Sequence, residues 1–395
     1  MKKIDINRAL KLPVKPKQSF FMWGPRQTGK STLLKKTYPK SLYINLLNTQ
    51  IYFKYISEPW LLREEILLAL KNKKIDSSDP IIIDEIQKIP ILLNEVHLMI
   101  EEHNLKFVLC GSSARKVKFG QANLLGGRAM KYELYGFNAY ELQKRFDLIK
   151  MLNHGYLPKH YLSEYQEAKE LQNFYLSEYL KEEIAAEALV RNLPVFSEFL
   201  RVSAFSDAEI VSYSNIAREC GVSSNTIKEY FHILEDTLLG SFLPAYTFRP
   251  KRKVIQSPKF YYSDIGLVNI LLKRNFIEPK SELFGKAFEN WVYHELRTYN
   301  LYKKKFWDLS YWKLANSSAE VDFVINKMDC AIEAKATNKI KKDELHGLRE
   351  LIKDQPCVKK RVVVSLVDTS RLTEDGIEIL NYKDFVRQLW AGEIF

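Results

Sequence analysis

The apolar and polar positions of the first 150 residues predict buried strands separated by helices. Short apolar runs occur near residues 19–23, 42–46, 80–84 and 106–110, and segments long enough for helices lie between most of them. Apolar strands that alternate with helical segments are typical of a doubly wound parallel sheet in an α/β fold. The segment "YELYGFNAYEL", residues 132–142, is expected to close this domain.

The loop after the first predicted strand carries a phosphate-binding pattern. "GPRQTGKST" has the spacing GxxxxGK[ST], and a strand before it and a helix after it are the context that a phosphate loop needs. The alternative interpretation is a glycine-rich turn that binds no ligand. Its backbone amides and the positive end of the helix dipole would face phosphate oxygens. Lys30 is expected to reach the β- and γ-phosphates, and the Ser31 hydroxyl to ligate Mg²⁺. The predicted ATP-binding residues are Gly24, Pro25, Arg26, Gln27, Thr28, Gly29, Lys30, Ser31 and Thr32.

Two acids end the third predicted strand. Asp84 and Glu85 follow the apolar run "PIII". An acid at this position is typical of the Walker B carboxylate that acts on Mg²⁺, and Glu85 is placed to polarise the attacking water as general base. In the alternative interpretation the two acids cap the following helix. ATP and Mg²⁺ are therefore the predicted cofactors.

Three further residues are candidates for contact with the γ-phosphate. Ser112 follows the fourth predicted strand, where it could bond to the attacking water or simply cap the loop. Arg128 follows two glycines in "LLGGRAMKYEL" and is a candidate arginine finger, acting in cis or towards a neighbouring subunit of a homo-oligomer. It could equally be a surface arginine. Arg26, inside the phosphate loop, is the third candidate.

The middle of the chain predicts helices and then a helix-turn-helix. Residues 143–205 have helical periodicity and no candidate chemistry. In "SNIARECGVSSNTIKEYFHILEDT", a short helix, a turn at Gly221 and a second helix capped by Ser223 or Ser224 follow one another. The outer face of the second helix would present Ser224, Asn225 and Lys228 to a DNA groove.

Two further strands would complete a winged helix. "SFLPAYTF" and "VIQSPKFYY" flank the basic turn "RPKRK", which predicts a β-hairpin whose cations suit phosphates. Winged helices also serve as connectors or as protein-binding modules, so contact with DNA is one of the possible roles.

The segment "AEVDFVINKMDCAIEAKAT" predicts a hairpin with facing acids. Two strands around the turn at residues 326–329 pair residues whose numbers sum to 655, which puts Asp322 opposite Glu333. Lys335 points to the same face as Glu333. Facing carboxylates repel each other, whereas a divalent cation between them would make the arrangement favourable.

These residues match the D…ExK pattern of the restriction-endonuclease-like, or PD-(D/E)xK, fold. There the acids hold Mg²⁺, and the lysine positions water and stabilises charge on the phosphate. Glu289, in a helix predicted over residues 281–300, occupies the place of an acid that the first helix of this fold often supplies. The predicted catalytic residues are Lys30, Glu85, Ser112, Arg128, Asp322, Glu333 and Lys335, and the predicted metal ligands are Ser31, Asp84, Glu289, Asp322 and Glu333. Alternatively, Lys335 pairs with the acids and the domain is an inactive relic.

The charge of the chain favours an anionic partner. Sixty Lys and Arg against 48 Asp and Glu give a formal charge of +12, so DNA is the predicted partner. No apolar run reaches the ~18 residues of a membrane span, and no membrane partner is expected. The basic start lacks the apolar core of a signal peptide, and the four cysteines form no CxxC pair. A cytoplasmic protein with reduced thiols and no zinc site is expected.

Several stretches together resemble a prokaryotic family of AAA-type ATPases. They are "GPRQTGKST", "IIIDEIQKIPILLNEVH", "FVLCGSSARK", "LLGGRAMKYELY", "SPKFYYSDIGL", "FGKAFENWVYHEL" and "AEVDFVI…AIEAK". Members of that family join a P-loop domain to a C-terminal domain of unknown function with a restriction-endonuclease-like core. The resemblance implies ATP binding by residues 24–32, with Asp84 and Glu85 as the Walker B pair. It also implies a nuclease-like fold whose activity is not established for the family.

The predicted organisation has four parts. A P-loop domain at residues 1–145 precedes a helical connector at 146–205, a winged helix at 206–275 and a restriction-endonuclease-like α/β domain at 276–395. The predicted function is Mg²⁺-dependent ATP hydrolysis that is coupled to DNA-binding and nuclease-like modules. The alternative is a nucleotide-gated switch that binds DNA or protein with an inactive nuclease-like domain. A signalling ATPase that never meets nucleic acid is the third hypothesis.

Overall fold

The computed structural model describes residues 6–112, 129–178, 190, 192–248 and 254–394. Contacts between these residues divide the chain into two units. One unit comprises Leu10–Tyr135 with Asp236–Leu238, and the other comprises Met1–Ala9, Gly136–Glu235 and Leu239–Phe395. Each unit is described by itself below.

The N-terminal unit contains a five-stranded sheet in which every neighbouring pair is parallel. The strands are β1 (Ser19–Trp23), β2 (Tyr43–Asn45), β3 (Ile81–Asp84), β4 (Phe107–Gly111) and β5 (Ala129–Glu133). Their order is β2-β3-β4-β1-β5. The helices of this unit are α1 (Lys30–Thr37), α2 (Thr49–Ser57), α3 (Leu61–Lys71) and α4 (Leu92–His103). The predicted parallel sheet of a P-loop α/β fold is confirmed.

The order of the strands brings the predicted nucleotide residues to one edge of the sheet. β4 lies between β1 and β3, and all three strands run in the same direction. β3 and β4 are buried along their whole length, as expected for strands that are apolar up to the terminal Asp84 and Gly111. The phosphate loop, Ser112 and Asp84 follow or end these strands, so they lie at the carboxyl edge where α/β sheets bind ligands.

Five helices lie in the described part of residues 136–205, most of them where the periodicity of residues 143–205 predicts helical structure. They are α5 (Ala139–Leu142), α6 (Leu148–His154), α7 (Pro158–Leu162), α8 (Tyr165–Glu178) and α9 (Leu193–Phe205). Side chains at three of the N-termini satisfy free backbone N–H groups. Asn138 and Glu141 form a capping box on α5, Asp147 accepts from Lys150 N, and Asn192 accepts from Val195 N.

Two helices follow with the turn that the sequence predicts. They are α10 (Tyr213–Cys220) and α11 (Ser224–Asp236). Gly221 ends α10 with φ 65°, a left-handed conformation that glycine adopts without steric cost. Ser223 Oγ accepts from the backbone N–H of Thr226 at 3.1 Å, so Ser223 is the capping residue of α11. The helices bury Ile216, Ala217, Ile227, Phe231 and Leu234.

The strands after these helices pair over a shorter length than the predicted wing. A small antiparallel sheet consists of β6 (Glu209–Ile210), β7 (Gly240–Leu243) and β8 (Lys259–Tyr262), in the order β6-β8-β7. Beyond β7 and β8, Ala245 and Val254 bridge to Tyr311 and Leu314 instead of to each other. The edge of the next strand offers them backbone partners, as in the 2.6 Å bond from Tyr246 N to Tyr311 O. The basic residues 249–253 lie outside the described residues.

The last part of the second unit is a six-stranded mixed sheet with helices. Its strands are β9 (Leu309–Lys313), β10 (Glu320–Ile325), β11 (Cys330–Lys335), β12 (Arg361–Ser365), β13 (Arg371–Leu372) and β14 (Ile377–Asn381). Their order is β13-β14-β12-β11-β10-β9. The helices of this region are α12 (Ile265–Leu271), α13 (Glu282–Tyr302), α14 (His346–Asp354) and α15 (Tyr382–Ala391). Among the residues that the structure describes, no helix is both long and apolar enough to cross a membrane.

Candidate functional site

The phosphate loop curls around the ammonium group of Lys30. The Nζ atom donates to the backbone carbonyls of Gly24 at 2.7 Å and Pro25 at 2.9 Å, and the side chain is buried. Thr28 Oγ1 donates to the same Pro25 carbonyl at 3.0 Å. Gly29 has φ 92° directly before α1. The loop therefore combines a curled backbone, a buried cation and a helix N-terminus, which together suit a phosphate group.

The first glycine of the loop leaves no room for a side chain. A Cβ at Gly24 would lie 2.2 Å from the backbone oxygen of Leu134. Further along the loop, Arg26 is half-buried, and Gln27 and Thr32 are exposed. Only glycine therefore allows the chain to pass from β1 into the loop at position 24.

Ser31 and Asp84 are joined directly. Ser31 Oγ donates to Asp84 Oδ2 at 2.8 Å, and Tyr43 donates its hydroxyl to the same oxygen. The other oxygen, Asp84 Oδ1, is buried and has no hydrogen-bond partner. A hydroxyl and an unpartnered carboxylate oxygen are hard ligands that fit Mg²⁺, which takes few protein ligands beside substrate phosphates. Tyr43 stays a donor here because burial, and then the bond to Asp84, raise the pKa of its hydroxyl.

Gln87 connects the second acid to the end of β4, a contact that the sequence analysis missed. Its Nε2 atom donates to Glu85 Oε2 at 2.5 Å and to Ser112 Oγ at 3.1 Å. Gln87 is only 2% exposed, and Glu85 has the left-handed φ of 62° that turns the chain after β3. The amide side chain two positions after Glu85, in the turn that follows the acid-tipped strand, was the available signal.

One residue predicted for this site, the candidate arginine finger Arg128, lies outside the described residues. Arg128 thus stays a prediction from the sequence.

The hairpin of the C-terminal sheet has the predicted register. Phe323 pairs with Ile332, Val324 with Ala331 and Ile325 with Cys330, and each pair sums to 655. One step further, this register puts Asp322 opposite Glu333, and Ala334 N donates to Asp322 Oδ2 at 2.9 Å. On the other side of β10, the pairing with β9 is irregular between Val321 and Val324. Such an irregularity re-aims a side chain, and here it lies beside Asp322.

A lysine that the sequence analysis did not consider lies among the acids. Lys259 Nζ is 2.6 Å from Glu320 Oε1, 2.9 Å from Glu289 Oε1 and 3.5 Å from Asp322 Oδ1. Its side chain is 3% exposed, so the ammonium is removed from solvent. A lysine inside the apolar strand "KFYY" was the signal that could have identified it.

The remaining acid of the cluster pairs with the predicted lysine. Lys335 Nζ lies 2.6 Å from Glu333 Oε1, whereas Glu333 Oε2 is buried without a partner. Burial, and then the charge of Asp322, raise the pKa of Glu333 from 4.5 to about 8. The same two causes raise the pKa of Glu289 to about 7 against the effect of Lys259. These carboxyl groups therefore release their protons less readily than ordinary ones.

The acid cluster does not fit a metal ion in the way the sequence predicts. The carboxylates of Glu289, Glu320 and Asp322 converge on the Lys259 ammonium. In the described part of the chain, no three His, Cys, Asp or Glu side chains are grouped so as to hold a metal ion. A cavity of about 800 Å³ opens beside the cluster and is lined by Glu320, Asp322, Glu333, Lys335 and Arg349, among others.

The outer face of α11 carries the residues proposed for DNA contact. Asn225 and Lys228 are exposed, and Ser224 is half-buried. The Lys228 ammonium lies 5.6 Å from the centre of the Tyr213 ring. The side chains that would contact DNA thus share one accessible helix surface.

Three family models match consecutive parts of the chain. Residues 16–143 match the AAA domain. Residues 145–277 and 284–385 match two domains of unknown function, DUF8612 and DUF4143.

The curated relatives include two uncharacterized proteins, one from Mycobacterium bovis and one from Mycobacterium tuberculosis. Each is 23% identical over 281 residues, which cover 69% of this chain and 60% of the relative. The chain thus spans about 60% of the length of these relatives.

Three solved structures share low similarity with the chain. The ORC2 protein of Aeropyrum pernix, in ADPNP–ADP complexes, has a TM-score of 0.40 and 12% identity over 66% of this chain and 87% of that chain. ORC1 of the same organism, in complex with DNA, has a TM-score of 0.27 with the same identity and coverage. A STAND protein from Pyrococcus horikoshii has a TM-score of 0.22 and 14% identity over 74% of this chain and 46% of that chain.

The sheet, the phosphate loop and the family match agree for the first part of the chain. The loop follows β1, Asp84 ends β3, and both lie within the matched residues. Residues 16–143 match the AAA domain, and their parallel sheet and phosphate loop have the arrangement of a nucleotide-binding P-loop fold.

Proposed function

We propose that the protein is a Mg²⁺-dependent ATPase whose nucleotide site lies in the N-terminal unit. The observation that carries this proposal is the 2.8 Å hydrogen bond between Ser31 Oγ and Asp84 Oδ2. The hydroxyl after the phosphate-loop lysine and the acid at the end of β3 are the groups that share Mg²⁺ in P-loop ATPases. The match of residues 16–143 to the AAA domain supports the same function.

ATP binding would replace the hydrogen-bond acceptors of the Lys30 ammonium. Lys30 would leave the carbonyl oxygens of Gly24 and Pro25 for the β- and γ-phosphate oxygens, so its ammonium stays hydrogen-bonded throughout. The backbone amides of residues 24–32 would donate to the phosphates. Ser31 and Asp84 would hold Mg²⁺, which, when bound, neutralises charge on the phosphate oxygens.

Hydrolysis would depend on the orientation of Glu85. Its carboxylate would polarise the attacking water, while Gln87 holds Oε2 of this carboxylate in one place. Ser112, on the other side of Gln87, would bond to the water or to the γ-phosphate. Gln87 is in this proposal a positioning residue, because it acts through Glu85 and Ser112.

Arginine would complete the site. Arg128 is proposed to stabilise the charge that develops on the γ-phosphate, either in cis or from a neighbouring subunit of a homo-oligomer. Arg26, half-buried in the phosphate loop, is the alternative donor.

The test separates binding from hydrolysis. Lys30→Ala is expected to abolish ATP binding in calorimetry with Mg²⁺, because the cation that faces the phosphates is lost. Glu85→Gln is expected to keep binding and to lower the hydrolysis rate by about 10²- to 10⁴-fold, the usual contribution of a general base.

Lys40→Ala serves as the matched control, because Lys40 is an exposed lysine that follows α1. Its binding and hydrolysis should equal those of the wild type. A Lys30→Ala protein that hydrolyses ATP at the wild-type rate would refute the proposal.

We further propose that the second unit contacts DNA in the cytoplasm, through the outer face of α11 and the basic segment at residues 249–253. The exposed Asn225 and Lys228 support this proposal, as does the net charge of +12. ATP hydrolysis would be coupled to this module and to the nuclease-like sheet. The free cysteines, two of them buried, support a reducing compartment.

One observation favours the second candidate function, a nucleotide-gated switch that binds without cutting. Lys259 lies among the acids, so its ammonium already offsets part of the negative charge that a metal ion would otherwise offset. Plasmid incubated with Mg²⁺ or Mn²⁺ distinguishes the two candidates. Cleavage that is lost in both Asp322→Ala and Glu333→Ala supports a nuclease, and intact DNA with retained binding supports the switch.

A further inference from the structure

We infer that Lys259 takes the place of a divalent cation in the acid cluster beside β10, so that this site binds no divalent metal as it is folded. The inference concerns the second unit alone. It holds whether or not the N-terminal unit hydrolyses ATP, and it does not depend on DNA binding.

The ammonium lies where a shared cation would lie. Glu289 comes from α13, Glu320 and Asp322 come from β10, and Lys259 reaches all three from β8, at distances between 2.6 and 3.5 Å. Three carboxylates from two elements would repel one another without a cation among them. A lysine with its side chain 3% exposed supplies that charge.

The oxygens that a metal would need are already taken. Asp322 uses Oδ1 for Lys259 and Oδ2 for the N–H of Ala334. Glu320 uses Oε1 for Lys259 and Oε2 for Lys313 at 2.7 Å. Glu289 Oε1 accepts from Lys259 and, at 2.7 Å, from Tyr261. Five of the six oxygens of these three acids therefore already have a partner, and a divalent cation would have to displace the Lys259 ammonium to reach them.

The pairing of β8 holds the backbone of Lys259 beside the cluster. Lys259 begins β8, the central strand of its sheet, with pairing partners on both sides. Its ammonium also lies 5.6 Å from the centre of the Tyr311 ring. The Lys259 side chain is also 3% exposed, whereas the Lys335 side chain is 30% exposed, so Lys259 is the more deeply buried of the two lysines.

Removing the ammonium should create a metal site from the same acids. Without Lys259, oxygens of Glu289, Glu320 and Asp322 would become available together. Glu333 Oε2, which is buried and unpartnered, would add a fourth carboxylate. Carboxylate clusters of this kind bind hard divalent cations, and their affinity rises with the number of charges.

The experiment measures Mn²⁺ binding to the full chain without nucleotide, by electron paramagnetic resonance and by thermal unfolding. Lys259→Met keeps the length of the side chain and removes its charge. It is expected to unfold at a lower temperature than the wild type, to recover stability when Mn²⁺ is added, and to bind Mn²⁺ at least about tenfold more tightly. Adding Glu333→Gln to this variant should weaken the gained affinity.

Two matched controls accompany the variant. Lys313→Met removes the other lysine that contacts Glu320 and leaves Lys259 in place, so it should gain no Mn²⁺ affinity. Lys259→Arg keeps a cation in the cluster and should likewise gain none. Gain of Mn²⁺ affinity in either control would overturn the inference.

A second experiment uses proteins that keep Lys259, so its result does not depend on whether the Lys259 variants fold. The wild type and Glu333→Gln should bind Mn²⁺ equally, because the inference assigns no metal to this site. Wild-type Mn²⁺ binding that disappears in Glu333→Gln or in Asp322→Asn would overturn the inference. Equal binding in all three proteins supports it.

Discussion

At the residue scale, Gln87 joins the two polar groups that the sequence analysis treats separately. Its amide nitrogen bonds to both Glu85 Oε2 and Ser112 Oγ, and its Oε1 is buried without a partner. A buried side chain that holds a proposed base in one orientation affects the chemical step more than the affinity for substrate. A substitution of Gln87 therefore tests the proposed mechanism without changing a residue that is proposed to contact ATP.

Gln87→Ala is expected to lower kcat for ATP hydrolysis by about 10- to 100-fold, because Glu85 loses the bond that orients it. KM for ATP should change little, since the phosphate loop is intact. Steady-state kinetics would measure both constants. Lys88→Ala, in the same turn and partly exposed, is the matched control and should leave both unchanged. A higher KM with an unaltered kcat would contradict the positioning role.

Glu295 makes stability depend on pH. It lies in α13 and is fully buried, and burial raises its pKa from 4.5 to about 8, against the 2.7 Å bond from Ala139 N. A raised pKa means that the folded protein holds the proton more tightly than the unfolded chain. The contribution is complete below pH 4.5 and is lost as the pH rises through about 8.

Glu295→Gln should flatten the fall in the free energy of unfolding between about pH 5 and about pH 9. The amide carries no charge at high pH and keeps an acceptor for Ala139 N. Denaturant unfolding at several pH values measures the slope. Stability still falls with pH in this variant, because the pKa values of Asp207 and Glu333 are also raised. Glu282→Gln, an exposed acid in the same helix, should leave the slope as in the wild type. An equal slope in Glu295→Gln and wild type would refute the assignment.

Which residues could be predicted depends on how far apart they are in the chain. The positions of the phosphate loop, Asp84 and the facing acids of the hairpin follow from local spacing. Within the N-terminal unit the loop contacts Asp84, and within the second unit Asp322 faces the acid on the opposite strand. Lys259 approaches Asp322 across 63 positions of sequence, and Tyr43 approaches Asp84 across 41. No periodicity connects residues so far apart, so only the folded chain reveals these contacts.

At the element scale, the register of the β10–β11 hairpin could be predicted from its sequence, whereas the length over which the two wing strands pair could not. A short turn fixes which residues oppose each other, so the pairing of Phe323 with Ile332 follows from counting. β7 and β8 are separated by a long connection, and the residues beyond them find partners on β9. A competing strand edge from a later part of the chain is invisible to local patterns.

The turn between α10 and α11 offers a test of backbone conformation alone. Gly221 has φ 65°, and a Cβ placed there would meet no atom within 4 Å. Gly221→Ala is therefore expected to destabilise the second unit by about 1–2 kcal/mol, the cost of a left-handed conformation in an L-residue. Chemical denaturation measures the change.

Gly285→Ala is the matched control for this prediction. Gly285 lies inside α13, and a Cβ there would also meet no atom within 4 Å. Alanine at this position should stabilise the unit by up to about 1 kcal/mol, because it favours the helix over the unfolded chain. Changes of the same sign at both positions would show that φ at Gly221 does not decide the outcome.

At the scale of the whole molecule, the charge of +12 predicts salt-dependent contact with DNA. Lys228→Ala should weaken binding about equally for all sequences and reduce the slope of log affinity against log salt by about one. Fluorescence anisotropy at several salt concentrations measures the slope. Lys159→Ala removes an equally exposed lysine from α7 and controls for net charge. A slope of zero in the wild type would instead favour a signalling ATPase that does not meet DNA.

Lys259 and the acids around it lie in two different family-model matches, and this affects how the second unit can evolve. Lys259 belongs to the segment matched over residues 145–277. The three carboxylates that it contacts belong to the segment matched over residues 284–385. Gene shuffling that brought in either segment alone would leave buried charges without a counterion, at a cost of about 3–5 kcal/mol. The two segments should therefore travel together through evolution, and changes at position 259 should be accompanied by changes in its acidic neighbours.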